Sequence, residues 1–301
     1  MTKEGNIFII VFLVLLFLIS GTSCDKFEGS QTIPAYIQVD TFYLEPNPVI
    51  EEGALTQNIT DVWVYVDDQI IGVFELPAIV PVLTEGNHKL TLYAGVKYNG
   101  MSGTRGPYPF YEPYITDCDF IVDSIKIIIP SISYYSNTFF TWIEDFEGGS
   151  ISLQSTNNSD TSLQFIYHDP VSPDFGHASG AGYLDGQHTV LECATYADEP
   201  GEGYILPGAT APVFLEMDYN INNYLIVGLF IYDIGVQITQ HPVVVLNPTD
   251  GIWKKIYINF TPSVTGYPQA DYFNVYIRTD KESSVELPVL KLDNIKLIHK
   301  K

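Results

Sequence analysis

Short apolar stretches with alternating polar positions recur along the chain from residue 35 onwards, separated by glycine, proline, asparagine or aspartate. The clearest pair is 59–66 and 69–74, which flank Asp67 and Asp68. Two acidic, φ-tolerant residues between strand-forming stretches predict a β-hairpin. Residues 88–94 alternate strictly and predict a further strand with one buried face.

The second half of the chain repeats this pattern and contains no convincing amphipathic helix. Seven strand-like stretches lie at residues 162–167, 190–195, 213–219, 225–232, 243–246, 253–260 and 272–278. Many short strands between turn residues are typical of a sandwich or jelly roll. We therefore predict an all-β protein with a small β-sandwich at residues 35–130, a joint at 131–140 and a jelly roll at 141–301.

The N-terminus has a different pattern. Lys3 precedes thirteen residues without a polar side chain (7–19), and small residues then lead to Cys24. A charged start, an apolar core and a small-residue exit are typical of an export signal. The apolar stretch is shorter than the roughly 20 residues that a membrane-spanning helix needs. The alternative is a short anchor helix with an incidental cysteine.

The sequence Ile-Ser-Gly-Thr-Ser-Cys at residues 19–24 resembles a bacterial lipobox, with Gly21 where the commonest form has leucine. The resemblance implies that residues 1–23 are a lipoprotein signal peptide and that Cys24 becomes the lipidated first residue, carrying palmitate. Residues 24–34 are then a tether. We expect a lipid-anchored protein of the cell envelope, at the outer membrane or surface of a Gram-negative bacterium.

Composition and charge limit the classes of partner that this protein is expected to bind. The formal net charge is −22, and no lysine–arginine cluster precedes Lys296, Lys300 and Lys301. A nucleic-acid partner is therefore not expected. Anionic lipid headgroups would repel an acidic surface, so the lipid alone should attach the protein to a membrane. The acidity mainly favours solubility, and calcium binding is a secondary inference.

Cysteine use is sparse. If Cys24 carries lipid, only Cys118 and Cys193 remain, each within an apolar stretch and in a different predicted domain. We expect two buried free thiols. An interdomain disulfide is the alternative.

The stretches VYVDDQIIGVFELP (64–77) and LTEGNHKLTLYAG (83–95) resemble a PEGA-type surface domain, in which an "EG-H" turn leads into the next strand. This resemblance covers about 35 residues and does not include the opening residues of that family. An immunoglobulin-like sandwich accommodates the same pattern.

Four stretches of the second half resemble carbohydrate-binding jelly rolls of the galactose-binding-like type. They are DFEGG (145–149), GHASGAGYL (176–184), WKKIYINF (253–260) and LDNIKL (292–297). With the lipobox and the small N-terminal β domain, the whole chain resembles surface lipoproteins of the Bacteroidota. That group implies a location but no particular activity.

The jelly-roll resemblance implies that the first and last strands are neighbours and that carboxylates there hold a structural Ca²⁺. Glu147 and Asp293 are the expected carboxylate ligands, and Ser179 and Gly180 in a glycine-rich loop would add backbone oxygens. Calcium takes about six to eight oxygen ligands, which such a set can supply. The alternative is that Asp293 caps a turn and Glu147 is solvated.

Aromatic residues are the second candidate site. Sugar rings stack on tyrosine or tryptophan, and four tyrosines lie in or beside predicted loops: Tyr183, Tyr204, Tyr224 and Tyr267. These tyrosines are our candidate ligand-binding residues. The alternative is a core role, which we expect for Trp253.

The stretch from Arg105 to Tyr114 contains three prolines and four aromatic residues. It is either an edge segment, a contact between the domains or a recognition loop.

No catalytic residue is predicted. The six histidines form no HExxH pair, and the sequence has neither a GxSxG elbow nor a phosphate-binding loop. His168 and Asp169 with His177 and His188 would form a metal or acid–base site only if the fold gathered them.

The sequence therefore predicts a non-catalytic, lipid-anchored surface protein whose jelly roll binds glycan or another extracellular ligand. The alternative is a structural or assembly component of a cell-surface complex, with no small-molecule ligand.

Overall fold

The computed structural model describes residues 33–197, 201–208, 211–233 and 238–300. Within these ranges the chain is almost entirely β, with a single short helix, α1 (Thr261–Gly266). The predicted all-β fold is therefore confirmed. No helix in the described ranges is long and apolar enough to cross a membrane. The predicted signal peptide, Cys24 and most of the tether lie outside these ranges.

The N-terminal unit, residues 33–137, contains three sheets. Its strands are β1 (Ala35–Val39), β2 (Tyr43–Leu44), β3 (Asp61–Val66), β4 (Gln69–Glu75), β5 (Ala78–Val82), β6 (Gly86–Lys97), β7 (Arg105–Pro107), β8 (Tyr114–Phe120), β9 (Ile125–Ile128) and β10 (Ser131–Ile132). The sheet orders are β5-β1-β9, β10-β2 and β4-β3-β6-β7, with β8 also paired to β6.

The jelly roll, residues 138–300, contains two facing sheets. Its strands are β11 (Thr138–Glu144), β12 (Leu153–Ser155), β13 (Gln164–Ser172), β14 (Gly176–Tyr183), β15 (Val190–Thr195), β16 (Val213–Ile221), β17 (Leu225–Tyr232), β18 (Thr239–Leu246), β19 (Lys254–Asn259), β20 (Tyr272–Asp280) and β21 (Val289–Lys300). One sheet has the order β13-β14-β21-β16-β19, with β11 also on β21, and the other has the order β12-β15-β20-β17-β18.

Local sequence explains the hairpin of the N-terminal unit. Asp67 and Asp68 have φ angles of 49° and 63°. Two consecutive positive φ angles are the requirement of a tight turn whose twist matches the flanking strands. The hairpin predicted at this position is confirmed by β3 and β4, which pair antiparallel.

The glycine-rich stretch at residues 176–184 was expected to be a loop, and this was wrong. Gly176–Tyr183 is strand β14, paired with β13 and β21. A methyl group on Gly180 would overlap the Phe146 ring, and one on Gly182 would overlap Leu191. The glycines therefore admit large neighbouring side chains against a strand.

The two units share buried side chains. The core of the jelly roll lies between its two sheets. The core of the N-terminal unit includes three jelly-roll residues, Phe214, Tyr257 and Ile298. Residues 131–140, predicted as a joint, contain β10, the buried Tyr134 and the start of β11.

The aromatic stretch from Arg105 to Tyr114 lies at this contact between the units. Tyr108, Phe110 and Tyr111 are buried. The Tyr108 hydroxyl donates to Glu216 of β16 at 2.7 Å. The stretch therefore contacts the jelly roll, as one alternative had it, and its first three residues also form the edge strand β7 beside β6.

Candidate functional site

The first and last strands of the jelly roll, β11 and β21, pair antiparallel, as the jelly-roll resemblance implied. Glu147 follows β11, and its carboxylate accepts hydrogen bonds from the backbone N–H groups of His177 (2.6 Å) and Ala178 (3.0 Å). Burial raises the pKa of Glu147, but these hydrogen bonds outweigh it and hold the pKa below its usual value. Glu147 is therefore engaged by the start of β14.

Asp293 is buried on β21, and the Ser179 hydroxyl donates to it at 2.5 Å. The pKa of Asp293 is raised to about 8, chiefly by burial and also by the nearby carboxylates of Asp218 and Asp145. No cationic side chain of the described residues lies within 4.0 Å of Asp293. The structure thus joins Ser179 and Asp293 in one buried polar contact.

The other calcium-site expectations fit less well. Gly180 is in mid-strand, paired with Phe165 and Leu292 rather than exposed in a loop. In the part of the chain that the structure describes, no group of three or more His, Cys, Asp or Glu side chains is placed to hold a metal ion. The structure therefore brings Ser179 and Asp293 together without gathering a set of metal-ligating side chains among the described residues.

The histidines have separate partners. His168 Nε2 lies 2.7 Å from the Ser179 hydroxyl oxygen, and His177 Nδ1 lies 3.0 Å from Glu147. His188 Nδ1 lies 3.3 Å from Asp185. Cys118 and Cys193 are free and buried, as predicted.

The four candidate tyrosines do not form one site. Tyr183 ends β14 and is 42% exposed. Tyr204 was expected in a loop but is buried in the jelly-roll core, where it packs against Trp142 and Tyr196. Its ring is therefore not an exposed stacking platform.

Tyr224 and Tyr267 line different depressions. Tyr224 is half-buried beside a cavity of only about 10 Å³. Tyr267 lines a pocket of about 240 Å³ with Ile231 and Asp233. That pocket adjoins the end of β17.

An aromatic surface that the sequence analysis missed lies on the five-stranded sheet. Core residues occupy the odd positions of β17 and β20, such as Leu229 and Val275. Because side chains alternate along a strand, the even positions face away from the core. We define the outer face by these side chains and their neighbours: Gln154, Glu192, Phe230, Tyr232, Gln240, Tyr272, Asn274, Tyr276 and Arg278.

Two ring pairs cover one part of the outer face. The centroids of Tyr232 and Tyr272 lie 4.4 Å apart with the planes at 18°, and those of Phe230 and Tyr276 lie 4.7 Å apart at 31°. Tyr276 is buried, and burial raises its pKa to about 12. The other three rings are half-buried. Flat apolar surface is therefore concentrated at the outside of a sheet.

Polar groups adjoin the rings. Glu192 is buried and accepts hydrogen bonds from Arg278 (2.9 Å) and Gln240 (2.9 Å). Thr156 (2.6 Å) also donates to it. Arg278 in turn pairs with Asp280. Charged groups on this face are held in fixed positions by their partners.

Two buried amide oxygens on the outer face, Oε1 of Gln154 and Oδ1 of Asn274, have no hydrogen-bond partner. A buried acceptor without a donor costs free energy, about 1–3 kcal/mol. Both oxygens lie near the aromatic rings, because Gln154 and Tyr276 are each opposite Ala194, and Asn274 is opposite Phe230. The face therefore combines flat rings with unused acceptors.

A period-of-two reading of residues 225–232 and 272–280 would have indicated this face. In both stretches aliphatic residues, Phe273 and Thr279 fill one set of alternate positions, and the other set contains Phe230, Tyr232, Tyr272, Asn274, Tyr276 and Arg278.

No protein-family model matches this sequence, and no curated protein matches it. Solved structures resemble it at low identity. The CBM22-1–GH10 modules of Clostridium thermocellum xylanase 10B, complexed with xylohexaose, are 12% identical over 54% of this chain and 29% of that one, with a TM-score of 0.38. This chain thus spans less than a third of that longer chain.

Two further structures are similar to this chain. The CBM22-2 xylan-binding domain of Paenibacillus barcinonensis Xyn10C is 16% identical over 53% of this chain and 99% of that one, with a TM-score of 0.33. The enzymatically active domain of tailspike protein 4 of bacteriophage CBA120 is 10% identical over 58% and 26%, with a TM-score of 0.38.

Proposed function

We propose that this protein is a non-catalytic, lipid-anchored protein of the cell envelope that binds glycan on the outer face of its jelly roll. The observation that carries the proposal is the pair of ring stacks on that face. Phe230, Tyr232 and Tyr272 are half-buried on the surface turned away from the jelly-roll core, and the buried Tyr276 packs against Phe230. The apolar C–H face of a pyranose ring packs against such aromatic surfaces.

The polar groups of the outer face are of the kind that hydrogen-bond to the hydroxyl groups of a sugar. Binding sites are lined mainly by apolar and aromatic side chains, with a few placed polar groups that fix orientation. The amide oxygen of the exposed Gln240 can accept a hydrogen bond from a sugar hydroxyl. Arg278 and Gln240 can donate hydrogen bonds. The N-terminal unit packs on the other sheet, through Phe214, Tyr257 and Ile298, and leaves this one uncovered by that unit.

A screen of neutral oligosaccharides by thermal shift, using residues 25–301, tests this function. At least one glycan should raise the melting temperature, because a ligand that binds only the folded state stabilises it. Phe230→Ala should abolish the shift. Tyr167→Ala is the matched control, since Tyr167 is 79% exposed on β13 in the other sheet. A flat response across the panel would contradict glycan binding.

Lipid attachment at Cys24 is part of the proposal and rests on the lipobox-like sequence. Labelling cells with a palmitate analogue should tag the wild-type protein, and Cys24→Ala should lose both the label and the envelope fraction. Equal labelling of both proteins would refute attachment at this residue.

Calcium at Glu147 and Asp293 stays a proposal. The buried carboxyl of Asp293 supports it, since a cation would offset the neighbouring negative charges. EDTA should lower the melting temperature, and added calcium should restore it in the wild type but not in Asp293→Asn. An unchanged melting temperature after addition of EDTA would contradict calcium binding at this site.

One observation favours the alternative role as an assembly component. Three isoleucines on the outward side of the β5-β1-β9 sheet are largely exposed. The exposed fractions of Ile79, Ile125 and Ile127 are 55%, 55% and 63%. Contiguous exposed apolar residues mark surfaces that contact other macromolecules. Mild crosslinking in intact cells should then recover a specific partner that Ile127→Lys loses. A protein that stays solitary after crosslinking would count against this role.

A further inference from the structure

We propose a second ligand site, separate from the outer face, in the cleft where the two units meet, and we infer that it takes a carboxylated saccharide. We call it the seam cleft. Its functional side chains are Gln57, Lys97, Trp253 and Lys254, and its volume is about 430 Å³. Ligand pockets have volumes of about 300–1,000 Å³, so one or two sugar rings suit this space.

The fold builds the seam cleft by joining two strands from different units. The end of β6 runs on along β19, where Tyr98 forms a parallel bridge with Tyr257. The Asn99 N–H donates to the Tyr257 carbonyl oxygen at 2.8 Å, and the Asn259 N–H donates to the Asn99 side chain at 2.8 Å. One backbone–backbone hydrogen bond and one from a backbone N–H to the Asn99 side chain therefore hold the walls of the cleft together.

Trp253 supplies the aromatic wall. It was expected to be a core residue, but it is only half-buried and it lines the cleft. Its ring stacks on Phe175, with centroids 4.5 Å apart and planes at 26°. This contact fixes the indole in place, and a rigid ring loses little entropy when it binds a sugar face.

Two lysines supply a positive rim. Lys97 is half-buried and Lys254 is exposed. Neither ammonium group has a carboxylate of the described residues within 4.0 Å, and Glu75 acts on Lys97 only at longer range. By contrast, Lys255 at the back of the cleft lies 3.3 Å from Glu216 and 3.6 Å from Asp218.

These two lysines both line the cleft, in a chain with a net charge of −22. A ligand carboxylate would give both a partner, whereas a neutral sugar would not. Gln57 Oε1 accepts a hydrogen bond from the Ile59 N–H, whereas its Nε2 has no partner among the described residues. This Nε2 group can therefore donate a hydrogen bond to a sugar hydroxyl. A ring face, a carboxylate and hydroxyls together describe a uronic acid residue.

Calorimetric titration of residues 25–301 with trigalacturonic acid and with neutral galactotriose tests the proposal. The acidic trisaccharide should bind at least about tenfold more tightly, and salt should weaken its binding because partly exposed charges are screened. Lys97→Met should weaken it about three- to fivefold, the size of one partly exposed ion pair. Trp253→Ala should weaken it further, and circular dichroism checks its folding.

The matched control is Lys89→Met, on the same strand and about 26 Å away at 3.3 Å per residue. Lys89 is paired with Asp68, and its loss should leave affinity unchanged. Equal affinity for both trisaccharides, no binding, or equal effects of the two lysine variants would overturn the proposal. Phe230→Ala should leave acidic-sugar binding intact. If it abolishes that binding, the outer face is the site and the seam cleft is not.

Discussion

Gly228 shows how one residue shapes the outer face. It lies on β17 between Pro242 of β18 and Tyr276 of β20. A methyl group there would overlap the His241 carbonyl oxygen and lie 2.7 Å from the Tyr276 ring. The absent side chain therefore permits both the strand pairing and the position of the buried ring.

Gly228→Ala should lower the free energy of unfolding by about 1–3 kcal/mol, as overpacked sites do. It should also weaken glycan binding, because Tyr276 must move. Gly149→Ala is the control, since no atom lies within 4 Å of a methyl group there. Urea denaturation of the three proteins measures the difference, and equal midpoints would refute this account of Gly228.

Lys296 is a second residue whose position has a measurable consequence. It is buried between the units, where its ammonium donates to the Ala54 carbonyl oxygen and lies 5.6 Å from the Tyr134 ring centroid. Burial lowers its pKa from 10.5 to about 8. Between these two values the unfolded chain binds more protons than the folded one, so this group makes stability rise with pH.

Lys296→Met should remove that rise. Relative to the variant, the wild type should gain stability as the pH increases from about 7 to 9.5, by up to about 3 kcal/mol over the full shift. Thermal melts at half-unit pH intervals measure the difference between the two proteins. Parallel curves would show that Lys296 does not titrate in this range.

At the scale of elements, strands could be predicted where their pattern is local. The stretches 190–195 and 225–232 coincide with β15 and β17, because alternation and turn residues act within a few positions. Strand β14 could not be recognised, since its glycines are explained only by Phe146 and Leu191 packing over them. That contact joins residues distant in sequence.

Contacts between residues distant in sequence also explain why the candidate site could be predicted only in part. Ser179 and Asp293 could be identified from the sequence, but the burial of Asp293 and the carboxylates of Asp218 and Asp145 near it could not. The two ring stacks of the outer face join residues of β17 and β20 that are 40 and 46 positions apart in sequence. Only the pairing of these strands brings the rings together. Tyr204, which has a loop-like sequence context, is buried because it bridges to Phe273 of β20.

At the scale of the whole molecule, the two units share one buried interface. Tyr108 and Tyr134 donate to Glu216, and Lys255 lies beside that carboxylate. Separating the units would expose Phe214, Tyr257 and Ile298. It would also leave Glu216 without its tyrosine donors.

We therefore expect calorimetry of residues 25–301 to show a single unfolding transition, and the jelly roll alone (138–301) to melt at a lower temperature. Shared apolar burial couples the units, because the core of the N-terminal unit includes Phe214, Tyr257 and Ile298 of the jelly roll. Two resolved transitions in the full protein, one of them matching the isolated jelly roll, would show independent domains.

The measurement that tests the central claim most directly is calorimetric titration of the glycan found by the thermal-shift screen. It compares the wild type with Phe230→Ala, Tyr232→Ala and the control Tyr167→Ala. Glycan binding on the outer face predicts that both face variants lose at least about tenfold in affinity while the control matches the wild type. Unchanged affinity in both face variants would contradict the account.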